Sequence, residues 1–233
     1  MFPARQGIDR RIIRGLLTFG ALIVLAQLAD YLYAPADNIL INKLIGADAV
    51  AVYAPLLQID SALLVLVAGL AAVILPRSAL AHAAGQRQLV LSYYLRGTLA
   101  SLALLTAAGA LVWLISPWLF RAWLGNPMTA SRAILPLVLV HTIVGGSSAV
   151  GRAILLGARK AKPFAISALI AGGANIVLAL LFVRYLHLGL RGIVLATIIA
   201  VVARSAVWMP WYVMRSLPDV MSVEALPAPA YPE

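Results

Sequence analysis

The chain reads as long apolar runs separated by short polar loops. A helix that crosses a bilayer needs about 20 mostly apolar residues. Six runs reach that length: 12–33 (continuing past Pro35 to 45), 50–74, 94–115, 134–156, 164–185 and 190–213. They are continuously apolar rather than alternating, so they do not resemble the strands of a membrane barrel. Their Leu, Ala and Ile content suits helices. The pattern predicts an all-α fold, a polytopic membrane bundle of about six transmembrane helices over residues 12–215. A cytoplasmic N-terminus (1–11) would precede it. A Pro-rich cytoplasmic tail (216–233), with Pro218, Pro227, Pro229 and Pro232, would follow it.

Composition narrows the class. Hydrophobic residues make up 63% and charged residues 11%, where a soluble domain has about 45–50% and about 25%. That excludes a soluble enzyme, a disordered chain and a disulfide-stapled secreted domain. There is no cysteine, which removes thiolate metal and redox chemistry.

Charge then orients the bundle. The net charge is +10, but the cations sit between apolar runs rather than in one soluble patch. Membrane lipid headgroups, not nucleic acid, are the expected partner. Arg5, Arg10, Arg11, Arg14, Arg77, Arg87, Arg96, Arg152, Arg159, Lys160, Lys162 and Arg215 fall on one side of the bundle. Lys43, Arg121, Arg132, Arg184 and Arg191 fall on the other. The positive-inside bias places both termini in the cytoplasm. Trp113, Trp118 and Trp123 read as an interfacial belt at the outer end of the third run. The first run is expected to be a retained helix rather than a cleaved signal. The small-residue site Ala34-Pro35-Ala36 lies too far beyond its apolar core.

Intramembrane charges are costly and mark candidate chemistry. Asp30 and Asp37 would share one face of a straight helix, with Pro35 between them as a kink. They are candidates for a coupling cation or proton; the alternative is a wet position at the outer membrane edge. Asp60 falls near the middle of the second span and is a third such candidate. Arg204 is the deep cation. It is either an anion ligand in a cavity or half of an ion pair with Asp60 or Asp30. His141 and Asn175 read as hydrogen-bonding groups between helices or as cavity residues. Gly146 and Gly151 let backbones approach closely, or serve as hinges. No catalytic or metal-binding motif stands out, and no cofactor is expected.

Two stretches carry a family resemblance. The first is DNILINKLIGADAVAVY at 37–53, an acid, an apolar run, a Leu/Ile-Gly-Ala turn and a small-residue start to the next helix. The second, at 151–197, has a Gly-rich helix end, a basic loop, an Asn-containing helix and Gly189/Gly192 opening the last helix. Pro76-Arg77 adds to them. The pattern resembles the multidrug/oligosaccharidyl-lipid/polysaccharide (MOP) flippase superfamily over residues 12–215. Polysaccharide exporters of the O-antigen type are most similar. The resemblance implies one six-helix half, the C-terminal one, of a MATE-like two-repeat transporter in the bacterial inner (plasma) membrane. It implies alternating access and movement of a polyprenyl-pyrophosphate-linked sugar, a lipid-linked oligosaccharide. Arg204, Arg152 and Arg14 would attract the anionic carrier, and Asp60, Asp37 or Asp30 would carry the coupling ion.

Such transporters need two halves, and this chain matches one. It is expected to be a fragment of a longer gene, a split-gene half or a homodimer subunit. The competing readings are a drug/cation antiporter of the same superfamily and a non-transporting scaffold in polysaccharide synthesis.

Overall fold

The computed structural model describes residues 34–126 and 128–217, together with positions 13, 17, 20, 21, 24, 25 and 28. Among these residues the chain is all-α. The order is α1 (Ala34–Leu44), α2 (Ala47–Ala83), α3 (Arg87–Leu124), α4 (Thr129–Ser147), α5 (Ala149–Gly157), α6 (Ala161–Arg184), α7 (Gly189–Val202), a π-helical segment (Ala203–Trp208) and α8 (Met209–Ser216). Five stretches are long and apolar enough to cross a bilayer: Ala47–Ala83, Arg87–Leu124, Thr129–Gly157, Ala161–Arg184 and Gly189–Ser216. They correspond to the second to sixth apolar runs. α1 holds the continuation of the first run, with Pro35 inside the helix and exposed. The rest of that run, residues 1–11, the tail beyond 217, Arg14 and Asp30 lie outside the described residues.

The helices outlast their apolar runs. α2 has 37 residues and α3 has 38, so each rises about 55 Å at 1.5 Å per residue, against a hydrocarbon core of about 30 Å. Hydropathy marks where lipid ends. Backbone hydrogen bonding carries on through Arg77 and His82 until Gly85 turns the chain at φ 67°. α3 ends on Gly125 at φ 72°, whose N–H bonds the Arg121 carbonyl, the left-handed cap that glycine adopts without strain.

Two spans are irregular. The fourth breaks at Ser148, between α4 and α5. Ser147 Oγ donates to the Val144 carbonyl at 2.8 Å and Ser148 Oγ to the Gly145 carbonyl at 2.7 Å. Such back-bonding competes with the helical ladder, and Gly145-Gly146 weakens the helix further. The last span widens to a π-helical turn, where the Met209 N–H bonds the Arg204 carbonyl. Pro210 follows directly and cannot donate to the Ala206 carbonyl.

The chain forms two compact units. One comprises the described residues up to 50 together with 160–200. Its buried side chains include Ile41, Phe164, Ala168, Ile193 and Val194, and α1 packs on α6. The other comprises the described residues of 51–159 and 201–217. Its core includes Tyr53, Leu56, Val67, Leu105, Phe120, Leu135, Ile154 and Met209. Large apolar side chains such as Val65, Leu114 and Trp118 are 70% exposed. In water such a surface would aggregate, and in a bilayer it is solvated by lipid. Trp113 and Trp123 are exposed too, as a lipid-facing aromatic belt requires.

Gly146 and Gly151 are points of close packing. A Cβ on Gly146 would stand 2.5 Å from Leu105 Cδ1, and one on Gly151 would stand 2.8 Å from Met209 Cγ and 3.2 Å from Tyr94 Cε2. Gly151→Leu should therefore lower stability by roughly 1–3 kcal/mol through overpacking. Gly173, with open space around its Cα, should tolerate Ala and gain up to about 1 kcal/mol of helix propensity. Thermal denaturation of the two detergent-solubilised variants checks both signs.

Candidate functional site

Two buried polar clusters stand inside apolar spans, one in each unit. In the first, Asp37 of α1 is fully buried. Asn175 Nδ2 on α6 donates to Asp37 Oδ1 at 3.0 Å. Thr197 Oγ1 on α7 donates to Asp37 Oδ2 at 2.8 Å. Thr197 also lies 3.1 Å from Asn175 Oδ1 and 3.2 Å from the Ile193 carbonyl. A hydroxyl has one proton, so these acceptors compete, and the shortest contact is to the carboxyl. Both donors to Asp37 are neutral. The cluster offers a carboxyl, an amide oxygen and a hydroxyl from three helices, the oxygen set that suits a proton or a small hard cation.

In the second unit, Asp60 of α2 is 7% exposed. Thr142 Oγ1 of α4 donates to Asp60 Oδ1 at 2.5 Å, and the same hydroxyl reaches the Val138 carbonyl at 2.8 Å. His141 Nδ1 stands 3.8 Å from Asp60 Oδ1. The partners around Asp60 are thus α4 side chains, not the Arg204 pairing that the sequence suggested. Among the described residues, no three of His, Cys, Asp or Glu come together as a metal site.

The remaining candidates are spread along the chain. Arg204 is half-buried on the π-helical segment, and Arg152 is half-buried on α5. Asn175 does join helices, and its partner is the Asp37 carboxyl. Sequence reasoning did not single out Thr142 or Thr197. Each is a polar residue in an apolar span, and listing every such residue would have found them, since a lone hydroxyl in hydrocarbon needs a partner. The end of the last span is aromatic and basic. Trp208 stacks on Tyr212 at 5.0 Å, Arg215 lies over the Trp211 ring at 5.5 Å, and Arg87 Nη2 caps the Met214 carbonyl at 3.1 Å.

The MatE pattern matches residues 23–181. The chain belongs to the MatE family. It is 29% identical over 217 residues to the uncharacterized membrane protein EpsK of Bacillus subtilis (strain 168), covering 90% of this chain and 42% of EpsK. Its fold is similar to an inward-facing multidrug resistance MATE family transporter of the MOP superfamily, with TM-score 0.73 and 18% identity, covering 93% of this chain and 50% of that one. It is also similar to a MOP superfamily transporter from Pyrococcus furiosus, whose reversed binding-pocket polarity suggests a different function for that protein. There the TM-score is 0.69 and the identity 22%, covering 88% of this chain and 45% of that one. This MatE chain thus spans about half the length of the proteins it matches. It is a multi-pass membrane protein of the MatE family whose fold corresponds to one half of the MOP-superfamily transporters it resembles.

Proposed function

We propose that this MatE chain is one half of a flippase that moves a polyprenyl-pyrophosphate-linked oligosaccharide across the bacterial inner membrane by alternating access, with both termini cytoplasmic and residues 12–215 as its membrane domain. The observation that carries the choice of an anionic carrier is Arg204, half-buried within the last span. A cation at mid-helix costs about 2.5–3.5 kcal/mol on insertion scales, and its planar guanidinium matches pyrophosphate oxygens in pairs. Arg152 is a second candidate ligand, and Arg14 a third among the residues not described. Asp37, held by Asn175 and Thr197, supplies the coupling-ion site. The cavity of such transporters lies between two halves, so the working protein includes a second half, supplied by a longer form of this chain, by a separate partner or by a second copy.

The competing reading is export of a cationic drug, which the buried Asp37 carboxyl favours. Translocation of a fluorescent lipid-linked oligosaccharide in proteoliposomes separates the two. With Arg204→Ala the rate should fall about tenfold, the equivalent of 1.4 kcal/mol, and Arg204→Lys should restore part of it. Export of a cationic dye with no sugar movement would replace the flippase by the antiporter.

A further inference from the structure

The second cluster has a chemistry of its own. Asp60 and His141 come from different helices of one unit and stand 3.8 Å apart, both buried within spans that lipid surrounds. Asp60 shares its Oδ1 with the Thr142 hydroxyl. We propose that Asp60, His141 and Thr142 form a proton-binding site that holds one proton in a net-neutral carboxyl–imidazole pair, separate from the Asp37 cluster. Its use in a transport cycle rests on the transporter reading above; its existence does not.

Proton accounting supports a single occupancy. With no proton the buried pair carries one negative charge, and with two it carries one positive charge. With one it is neutral, either as carboxylic acid beside imidazole or as carboxylate beside imidazolium. A buried net charge is the expensive case in a low-dielectric span. The two one-proton forms belong to the pair and not to either residue.

Thr142 links the occupancy to the backbone. Its one hydroxyl proton has two acceptors in reach, Asp60 Oδ1 and the Val138 carbonyl. When Asp60 is a carboxylate, the hydroxyl donates to it. When Asp60 is a carboxylic acid, its O–H donates to Thr142 Oγ1, and the Thr142 proton turns to the Val138 carbonyl. No proton is gained or lost in that turn. It couples Asp60 to α4 somewhat less than two turns before the break at Ser148.

The surrounding charges are accounted for by element. His141, 3.8 Å away, is the titratable side chain beside Asp60. α4 packs on α3, α5 and the π-helical segment and meets α2 through Ser131–Val52 and Thr142–Asp60. These elements carry Asp48, Arg77 and His82 towards the ends of α2, Arg87, Arg96 and Arg121 towards the ends of α3, Arg152 on α5 and Arg204 on the π-helical segment. Arg132 on α4 itself donates to Ser116 on α3.

The test is acid-minus-alkaline infrared difference spectroscopy of the full chain in lipid nanodiscs, which needs no substrate. The proton is the probe. The expected result is a protonated-carboxyl stretch that Asp60→Asn removes and Asp37→Asn leaves in place. In His141→Gln its titration midpoint should move by about one pH unit or more, a tenfold change in proton concentration. Thr142→Val should shift the band frequency by removing the hydroxyl partner. If Asp60→Asn fails to fold, Asp60→Glu keeps the carboxyl and displaces the same band. A spectrum that is identical in Asp60→Asn or Asp60→Glu, or a midpoint indifferent to His141→Gln, overturns the proposal. Failure of sugar translocation leaves these spectra as they are, so the two readings fail separately.

Discussion

Asp37→Asn is expected to cut gradient-driven transport about tenfold or more while the protein stays folded. The substitution preserves shape and removes only the charge. Asn175 and Thr197 then face an amide instead of a carboxyl. A hydrogen bond to a charged group contributes about 1.5–3 kcal/mol, and 1.4 kcal/mol is one decade in binding. Loss of one such bond to a bound ion therefore suffices for the expected drop. Asp37→Ala should behave differently. It strands the buried Asn175 amide donor, at a cost of about 1–3 kcal/mol, while the Thr197 hydroxyl can turn to Asn175 Oδ1 or the Ile193 carbonyl, so it should lower thermal stability as well as transport. Initial rates under an imposed proton or sodium gradient, read beside melting curves, separate the two variants. Full gradient-driven rates in Asp37→Asn would remove the coupling role.

The second large effect concerns the missing half. A single copy of the chain in a nanodisc should bind lipid but move no substrate. Transport should appear only when a second half is present, in a longer form of the chain, as a separate partner or as a second copy. The chain covers 45–50% of the transporter chains whose fold it shares, and the substrate cavity of such proteins lies between repeats. One half alone would turn polar cavity groups towards hydrocarbon, where each unsatisfied group costs several kcal/mol. The expected difference is therefore all or none. Native mass spectrometry of the reconstituted protein, matched to translocation by each species, checks it. Full-rate transport by a confirmed monomer would sink the idea.

Much of the molecule was legible before any coordinates. The apolar runs located the second to sixth spans, because bilayer thickness imposes a minimum length on every spanning helix. Asp37, Asp60, His141 and Asn175 stood out because a polar group in hydrocarbon must have a reason. The Pro and Gly positions announced irregularity, but not its form. Gly146 suggested close backbone approach or a hinge in the fourth span; the outcome is a break at Ser148 and tight contact with Leu105. Pro210 marked a disturbance in the last span, but not that it would take the form of a π-helical turn at Ala203–Trp208.

Sequence by itself determined the class of this protein, its spans and its superfamily, since all three follow from length, hydropathy and short-range pattern. Only the tertiary structure decided the partners. Asp37 is joined to Asn175 across 138 residues and to Thr197 across 160, and Asp60 to Thr142 across 82. Hydropathy says that a buried carboxyl needs a donor. Which donor it finds depends on how helices rotate and pack, and that is settled by side-chain contacts along the whole bundle rather than by any local run of residues.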